Sequence, residues 1–544
     1  MSNNQNPKKE LNAFEQLIIG AKTEGVTRAS RRKFMQGALA AGASLAVASS
    51  IWDSEVRAAT PTNGGSLSIG MNTATVNDGF DPATMNTNYH TITMFTCRNY
   101  LVEIDENNQP IPELAESWEA SAGATEWHMK IRKGIEFHNG KSLTAEDIIA
   151  TMNYHRGKDS KSAAKPLFAT VDDIKADGTD AIVVKMKSGN ADFPFTMSSW
   201  NLGILPSDGK GGVETANGIG TGPYAVVSHN PGVETVFKRF KNYWKPNRAH
   251  FDSVTLVAIN DSAARNSALV TKEVDAIMAV ENKTARFLKN TPGILLDDVT
   301  SSEAMTMPMF ADVPPYDNND VRMALKLVID RKEVRDKIFF GHASLANDYP
   351  ISPIMPYWTD IPQRAYDPDQ AKFHVKKAGA EGVQLKLFAS DAVYPGTVDL
   401  AVLYAARAKA VGINIEVVRY PTDGYWSDIW LKKPFCFSNW LGRPTPDAIY
   451  SVAYAADAPW NESHFKNARF DELLIQARGE LDQEKRAAQY AEMAHILYDG
   501  GSSIIPIFVN QLFARRDYIQ HGDKMTGNIT LDGGRAAERW WRTG

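Results

Sequence analysis

The most informative stretch of the chain reads Trp127-His-Met-Lys-Ile-Arg-Lys-Gly-Ile-Glu-Phe-His-Asn-Gly-Lys141-Ser-Leu-Thr144-Ala-Glu-Asp147. Its last residues predict a helix start, because Thr144 can cap the helix and Asp147, three residues later, can reach back to the cap amide. On either side, residues 64–70, 181–187 and 222–227 show the β-branched or alternating pattern of strands. The stretch therefore belongs to a protein of mixed strands and helices.

Helical periodicity is clearest in the C-terminal part of the chain, where apolar residues recur at three- and four-residue spacing. We predict helices from Asn319 onward, over 470–481 and over 490–497, with Gly500-Gly501 stopping the last one before a strand over 504–509. These apolar stripes face a core and imply no chemistry. Because strands and helices do not alternate strictly, and no repeat is present, we expect an α/β protein whose lobes are interleaved along the chain.

Length and composition agree with this expectation. The chain has 544 residues, of which 43% are hydrophobic and 23% charged. Such a composition is typical of a soluble globular protein rather than a disordered or membrane-spanning one. Since single hydrophobic cores usually stop growing near ~250–300 residues, more than one lobe is expected.

The first 58 residues follow a different pattern and predict an export signal. Ser30-Arg31-Arg32-Lys33-Phe34 precedes a run rich in Ala, Gly and Ser, which resembles the twin-arginine (Tat) signature. Small residues near Ala58 place the expected cleavage there. The alternative is a membrane anchor, but this run is shorter and less apolar than the ~20 residues that a spanning helix needs.

Charge and cysteine content narrow the possible partners. Without residues 1–58, Lys plus Arg falls from 59 to 51 and Asp plus Glu from 64 to 59, so the net charge changes from −5 to −8. An acidic surface argues against nucleic acid as a partner.

The export compartment permits a disulfide between Cys97 and Cys436, but we expect two separate buried thiols.

The motifs of common enzymes are missing from the sequence. It contains no Gly-x-Ser-x-Gly, His-Glu-x-x-His, Gly-x-x-x-x-Gly-Lys-Ser/Thr or Cys-x-x-Cys pattern, and its 11 histidines are scattered singly. We therefore expect a protein that is not an enzyme and that has no cofactor and no metal site. Aromatic residues such as Trp426 and Trp440 stand instead in loop-like segments with Gly, Pro, Arg and Asp. Such groups occur in ligand clefts, although they also fill cores and interfaces.

Several blocks together resemble the extracellular solute-binding proteins of peptide- and nickel-type ABC importers (family 5). Beyond Trp127–Asp147, the matching blocks are Tyr100–Trp118, Gly220–Tyr224, Asn242–Trp244, Asn319–Leu325, Ile329–Arg331, Tyr366–Ala371 and Gly412–Val417. They span nearly all of the mature chain in the family's order. The resemblance implies a periplasmic-binding-protein-like α/β fold in which two lobes, built from three interleaved domains, close around a ligand at a hinge. It places domain I at 59–95, 218–298 and 507–544, domain II at 96–217 and domain III at 299–506.

The resemblance also draws attention to the segment Asn439-Trp440-Leu-Gly-Arg443-Pro-Thr-Pro-Asp447. In peptide-binding members, an aspartate that pairs with the peptide's amino group stands where this chain has Arg443. A guanidinium holds a carboxylate, sulfonate or phosphonate bidentately and repels an ammonium. We therefore predict an anionic ligand group at Arg443, with Asp447 close to a cationic one. The alternative is that Arg443 pairs with Asp447 and only shapes the loop.

Around Arg443 the predicted ligand-binding residues are Trp440 and Trp426 as stacking walls, and Asn88 and Tyr89 from domain I. The predicted function is capture of a small peptide or amino-acid-derived solute by a monomeric periplasmic receptor, which delivers it to an inner-membrane ABC permease after export by the Tat machinery. Two alternatives stay open: the same fold could bind an oligosaccharide or a metal chelate, or the protein could be an exported enzyme.

Overall fold

The computed structural model of this chain describes residues 17, 28–40, 61–84 and 87–543. Arg31 and Arg32 lie in a helix over Arg28–Ala40. The expected cleavage site near Ala58 lies outside the described residues, so the export signal stays a prediction. Within these ranges no helix is long and apolar enough to cross a membrane.

Helices and strands are interspersed throughout the described residues. The helices are α1 (Arg28–Ala40), α2 (Asn88–Cys97), α3 (Ala145–Arg156), α4 (Phe193–Thr196), α5 (Ser262–Thr271), α6 (Asn282–Lys289), α7 (Asn319–Leu327), α8 (Arg331–Lys337), α9 (Pro368–Lys377), α10 (Thr397–Lys409), α11 (Tyr425–Asp428), α12 (Pro446–Ala453), α13 (Ala468–Gly479), α14 (Gln483–Gly500), α15 (Thr530–Gly533) and α16 (Ala536–Arg539). The strands are β1 (Ser66–Met71), β2 (Val102–Ile104), β3 (Pro110–Pro112), β4 (Ala115–Ala120), β5 (Glu126–Ile131), β6 (Val171–Ala176), β7 (Ala181–Met186), β8 (Tyr224–Asn230), β9 (Glu234–Arg239), β10 (Ser253–Ala258), β11 (Ala276–Ile277), β12 (Ile294–Pro308), β13 (Ala343–Leu345), β14 (Gln384–Ala389), β15 (Asn414–Arg419), β16 (Ser438–Trp440), β17 (Ser503–Arg516), β18 (Ile519–Gln520) and β19 (Trp541–Arg542).

A mixed sheet of nine strands runs through the described part of the fold, in the order β16-β12-β17-β11-β1-β10-β9-β8, with β13 also paired to β17. Strand β1 is parallel to β10, with Leu67 opposite Val254, whereas β12 and β17 are antiparallel. Strands from both ends of the chain thus share one sheet. This arrangement confirms the predicted α/β fold with interleaved segments.

A second, antiparallel sheet has the order β4-β5-β7-β6 and packs against α3. Its core comes from one continuous part of the chain, from Leu101 to Ile204. Helix α3 begins as predicted, because the Asp147 carboxylate accepts a hydrogen bond from the Thr144 amide at 2.9 Å.

The helices of the C-terminal half build two further cores. The apolar stripe of α7 is buried against β14, β15 and α10, and the stripes of α12, α13 and α14 are buried against one another. One predicted helix is too long: α13 ends at Gly479, and Leu481 is 36% exposed. The reason is local, since the Asp482 side chain accepts hydrogen bonds from the amides of Glu484 and Lys485 and thereby starts α14.

The long strands β12 and β17 pass from one core to another. Val299 and Leu512 lie in the cores beside β1 and β11, whereas Ala304 and Phe508 lie in the core of α12–α14. The pairing of the two strands shifts register between Val299 and Glu303. The chain therefore crosses between two packed bodies within a few residues. The domain boundaries expected from the resemblance stay a prediction.

A buried cluster of charges ties the C-terminal segment to the chain just before β4. The Arg535 guanidinium donates to both oxygens of Glu113, at 2.9 and 2.8 Å, and to Glu538 at 2.8 Å. The Lys245 ammonium lies 2.7 Å from Glu113 and 2.9 Å from Glu538. Glu113 and Glu538 are fully buried. The arrangement satisfies each buried charge with opposite charges.

This cluster predicts a loss of stability in acid. Burial alone would raise the pKa of Glu538, but Lys245 and Arg535 outweigh burial and lower it to about 2. The unfolded chain protonates a glutamate near pH ~4.3. The stabilising contribution of Glu538 is therefore present above that pH and is lost as the pH falls from ~4.3 towards 2. Urea denaturation at a series of pH values should show the free energy of unfolding decreasing over this window; a constant value from pH 5 to 2.5 would contradict the prediction.

The two cysteines are separate. Cys97 and Cys436 are both free and buried, as expected. Burial raises the pKa of both thiols, that of Cys97 to about 11. Neither sulfur is therefore a reactive thiolate at neutral pH.

Candidate functional site

A cavity of about 1690 Å³ lies where the packed bodies meet. Helix α2 contributes Asn88, the residue before α4 in the body of the second sheet is Asp192, and the loop before α12 contributes Arg443. Strands β12 and β17 pass along it with Glu303 and Gln511. Its volume exceeds the ~300–1,000 Å³ of a typical pocket for a drug-sized molecule. A ligand of peptide size can be enclosed here.

The Arg443 side chain is the clearest recognition group in this cavity. It lies in the loop between β16 and α12, whose first turn is capped by the Thr445 side chain. The guanidinium is partly buried, and no hydrogen bond or ion pair joins it to any residue that the structure describes. Burial lowers the pKa of Arg443, but a guanidinium keeps its proton in proteins. A positive charge therefore faces the cavity without a counter-ion in the described chain.

Asp447 also lines the cavity but already has a cationic partner. Its Oδ1 lies 2.7 Å from Arg478 Nε, and Ser451 Oγ donates to the same oxygen at 3.1 Å. The alternative in which Arg443 pairs with Asp447 is therefore not what the structure shows. The prediction that Asp447 approaches a cationic ligand group stays untested, and the ion pair with Arg478 reduces the charge that Asp447 can offer.

Asn88 and Tyr89 are neighbours on α2 but point in different directions. Asn88 lines the cavity beside Asn72. Tyr89 is buried in the core, where its hydroxyl lies 2.8 Å from Thr235 Oγ1 and donates to the Leu256 carbonyl at 3.2 Å. Successive residues of a helix are turned by about 100°, so only one of the two can face the cavity.

The two predicted stacking walls, Trp440 and Trp426, do not line the cavity either. Trp440 is 6% exposed, and its indole donates to the Glu462 carboxylate at 3.0 Å. Trp426 is 40% exposed and meets Trp430 edge to face, with ring centroids 5.9 Å apart. The tryptophan that reaches the cavity from this group is Trp460, whose ring centroid lies 6.0 Å from that of Trp440. Trp440 thus supports a wall that another ring forms.

Glu303 is a cavity residue that the sequence analysis missed. It lies on β12, where its carboxylate accepts a hydrogen bond from the Asn439 amide at 3.3 Å. None of the Lys, Arg or His residues that the structure describes forms an ion pair with it, and burial raises its pKa. A signal was present in the sequence, because Glu303 is a lone charged residue just before the apolar end of a strand.

Contacts on one side of the cavity join the second sheet's body to the C-terminal helices. Asp192, next to α4, forms an ion pair with Arg486 of α14 at 2.8 Å. The Ala191 amide donates to the Arg478 carbonyl at 2.7 Å. A β-carbon on Gly189 would lie 2.2 Å from the Gly123 carbonyl oxygen and 2.8 Å from the Gly479 Cα. The two bodies therefore touch backbone to backbone, which only glycine allows at this distance.

The site combines a large, partly open cavity between bodies, an aromatic wall and a few fixed charges. Within the described part of the chain, no group of three or more His, Cys, Asp or Glu side chains is placed to hold a metal ion. Two packed bodies joined by crossing strands, with a cavity between them, are the arrangement expected of a two-lobed ligand-binding protein.

Comparison with known proteins gives the family. Residues 109–462, well over half of the chain, match the family model described as bacterial extracellular solute-binding proteins, family 5 Middle. Di/tripeptide-binding protein 1 of Pseudomonas aeruginosa is 25% identical over 441 residues, which cover 74% of this chain and 81% of that protein. Heme-binding protein A of Haemophilus influenzae is 25% identical over 450 residues, covering 75% and 81%. The solved structure of HbpA2 from Haemophilus parasuis superposes with a TM-score of 0.77 at 19% identity, covering 86% of this chain and 99% of that one.

The chain therefore belongs to family 5 of the bacterial extracellular solute-binding proteins. It is a substrate-binding component of ABC importers of the peptide and nickel type. The family resemblance drawn from the sequence is confirmed, and so is the expected fold.

Proposed function

We propose that this protein captures a small peptide or amino-acid-derived solute in the periplasm through an anionic group held by Arg443, and delivers it to an inner-membrane ABC permease. The observation that carries the proposal is the unpaired Arg443 guanidinium on the cavity wall. A partly buried charge without a counter-ion costs free energy in the empty protein. A carboxylate or similar anion that enters the cavity would remove that cost and form charge-assisted hydrogen bonds.

The relatives support the peptide class without deciding it. One curated relative carries the name di/tripeptide-binding protein and another the name heme-binding protein. These two kinds of ligand both present carboxylates. The same proposal includes cleavage of the signal near Ala58, export by the Tat machinery, a monomeric state and a division into three domains. A metal chelate with carboxylates would also suit Arg443, whereas an oligosaccharide would leave its charge without a counter-ion. The enzyme alternative stays a prediction.

A chemical comparison tests the proposal. A library of dipeptides with free termini and the same library with amidated C-termini are each added to the purified mature protein, and the thermal unfolding midpoint is measured. We expect the free-acid library to raise the midpoint, because a ligand at ~100 times its dissociation constant adds ~2.7 kcal/mol of stability. The amidated library should have a much smaller effect, since Arg443 then meets no negative charge.

Two results would contradict the proposal. Equal shifts with the acid and the amide libraries would exclude Arg443 as an anion-binding group. Shifts with oligosaccharides or nickel chelates, together with none from any dipeptide, would favour the alternative solute classes. Bound ligand is to be removed beforehand by partial unfolding and refolding, and its absence checked by mass spectrometry.

A further inference from the structure

Glu303 and Arg443 stand close together on neighbouring strands. In the pairing of β12 with β16, Ala304 is opposite Trp440 and Met305 is opposite Asn439. A β-carbon on Gly442 would lie 2.6 Å from Ser302 Oγ, so the chain stays beside β12 beyond the end of β16. If the same register continues by one residue, Glu303 lies opposite Leu441. Arg443 is two residues beyond Leu441 and is therefore a diagonal neighbour of Glu303. Such diagonal neighbours have Cα atoms ~7–8 Å apart.

Both side chains line the same cavity, and neither has a partner of opposite charge in the described chain. Arg443 has no hydrogen bond at all there, and Glu303 has the neutral Asn439 amide. Tyr394, another cavity residue, stays a neutral hydroxyl near Glu303, because burial and then the Glu303 charge raise its pKa. Glu303 and Arg443 do not pair with each other either, since no ion pair joins the two side chains within 4.0 Å.

The other partly buried charges on the cavity wall are neutralised, whereas the unpaired carboxylates of Asp261, Asp391 and Asp399 are exposed to solvent. Asp447 pairs with Arg478 at 2.7 Å and Asp192 pairs with Arg486 at 2.8 Å. Arg265 has no such pair, but four backbone carbonyls accept its hydrogen bonds. Partly buried charges are normally paired, because an isolated one is strongly disfavoured. Arg443 and Glu303 are a positive and a negative exception to this rule, and they lie side by side. This arrangement indicates that a ligand supplies the missing counter-ion to each of them.

We propose that Glu303 binds the cationic group of the ligand, so that Glu303 and Arg443 together select a zwitterion. This inference rests on the proposed function, which assigns the anionic group to Arg443. An extended dipeptide, whose two residues span about 7 Å, is short enough for its two charged ends to meet side chains on neighbouring stretches of chain. The ligand class is therefore a compound of dipeptide length with an ammonium and a carboxylate at its ends. Asp447, which the sequence suggested for the cation, is the weaker candidate because Arg478 already occupies it.

Three dipeptide libraries test the inference on the full mature protein: free termini, N-acetylated and C-amidated. With the wild type, acetylation should weaken binding by about 30-fold in calorimetry, as expected when a charged hydrogen-bond donor is lost. With Glu303→Gln, the free and acetylated libraries should bind about equally, whereas amidation should still weaken binding strongly. The acetylated library therefore tests the role of Glu303, and the amidated library tests the role of Arg443.

A measurement without ligand separates recognition from structure. Removing an unpaired carboxylate should leave the thermal midpoint of empty Glu303→Gln protein equal to or above that of the wild type. The matched control is Asp297→Asn on the same strand, where the lost carboxylate pairs with Arg515 at 2.8 Å; its midpoint should fall.

Each outcome decides between the two proposals. Any one of three results overturns the Glu303 inference: acetylation has no effect on the wild type, Glu303→Gln still discriminates against the acetylated library, or empty Glu303→Gln protein is less stable than the wild type. In each of these cases the comparison of free and amidated dipeptides still tests the role of Arg443. If none of the three libraries binds, both proposals fail.

Discussion

The Arg443→Gln variant is expected to bind its ligand at least ~30-fold more weakly than the wild type. The reason is the removal of one partner from a buried charge pair, which costs about 2–5 kcal/mol of binding free energy. Glutamine keeps hydrogen-bonding atoms at this position but lacks the charge and the planar fork of the guanidinium. Calorimetry with the dipeptide that binds the wild type most tightly measures the effect.

A charge-matched control separates local recognition from general electrostatics. Lys133 lies outside the cavity and forms an ion pair with Asp180 at 2.9 Å, and its side chain is 75% exposed. Lys133→Gln removes the same charge and should leave the affinity unchanged. Without ligand, Arg443→Gln should unfold at the same temperature as the wild type or higher, because a charge with no partner in the described chain is removed. Unchanged affinity in Arg443→Gln would refute the assignment of the anion to this residue.

The Arg535→Met variant is expected to lower the free energy of unfolding by about 3–5 kcal/mol, the usual effect of removing one partner from a buried ion pair. Arg535 is 3% exposed and bonds to Glu113 and Glu538, which would then face each other with less positive charge. Urea denaturation followed by tryptophan fluorescence measures the loss. Because Glu113 lies just before the second sheet and Arg535 lies near the C-terminus, the transition should also lose cooperativity.

Arg469 offers the matched control, since it also pairs with two carboxylates. It lies 2.7 Å from Glu492 and 2.9 Å from Glu472, but all three side chains are about half exposed. Arg469→Met should change the unfolding midpoint little, because solvent screens exposed pairs. If Arg469→Met and Arg535→Met lower the free energy of unfolding equally, the burial of the cluster around Arg535 does not increase its contribution to stability.

Much of the fold could be predicted from the sequence because the signals are local. The capping residues Thr144 and Asp147 are three positions apart, and the apolar stripe of α7 repeats every three or four residues, so neighbouring residues alone decide these elements. The error at Leu481 has the same origin. Its apolar character extends the pattern of α13, but Asp482 starts a new helix and turns the chain before that residue can join the core.

The candidate site could be predicted only in part. Arg443 was found because the family resemblance implied an aspartate in its place, and the structure places it on the cavity wall. Tyr89 and Trp440 were suggested by their position in the chain, yet they point into cores. Trp460 and Glu303 were missed, because their place in the cavity depends on how the tryptophans pack and on how β12 pairs with β16.

The sequence by itself determined the family, the α/β character and the presence of an arginine in a candidate binding segment, since these follow from residue identity and short-range pattern. Only the tertiary structure decided which charges remain unpaired. Asp447 is neutralised by Arg478, Asp192 by Arg486, and Arg443 and Glu303 by no described residue. Ion pairing depends on distances between side chains that are far apart along the chain, and only folding sets those distances.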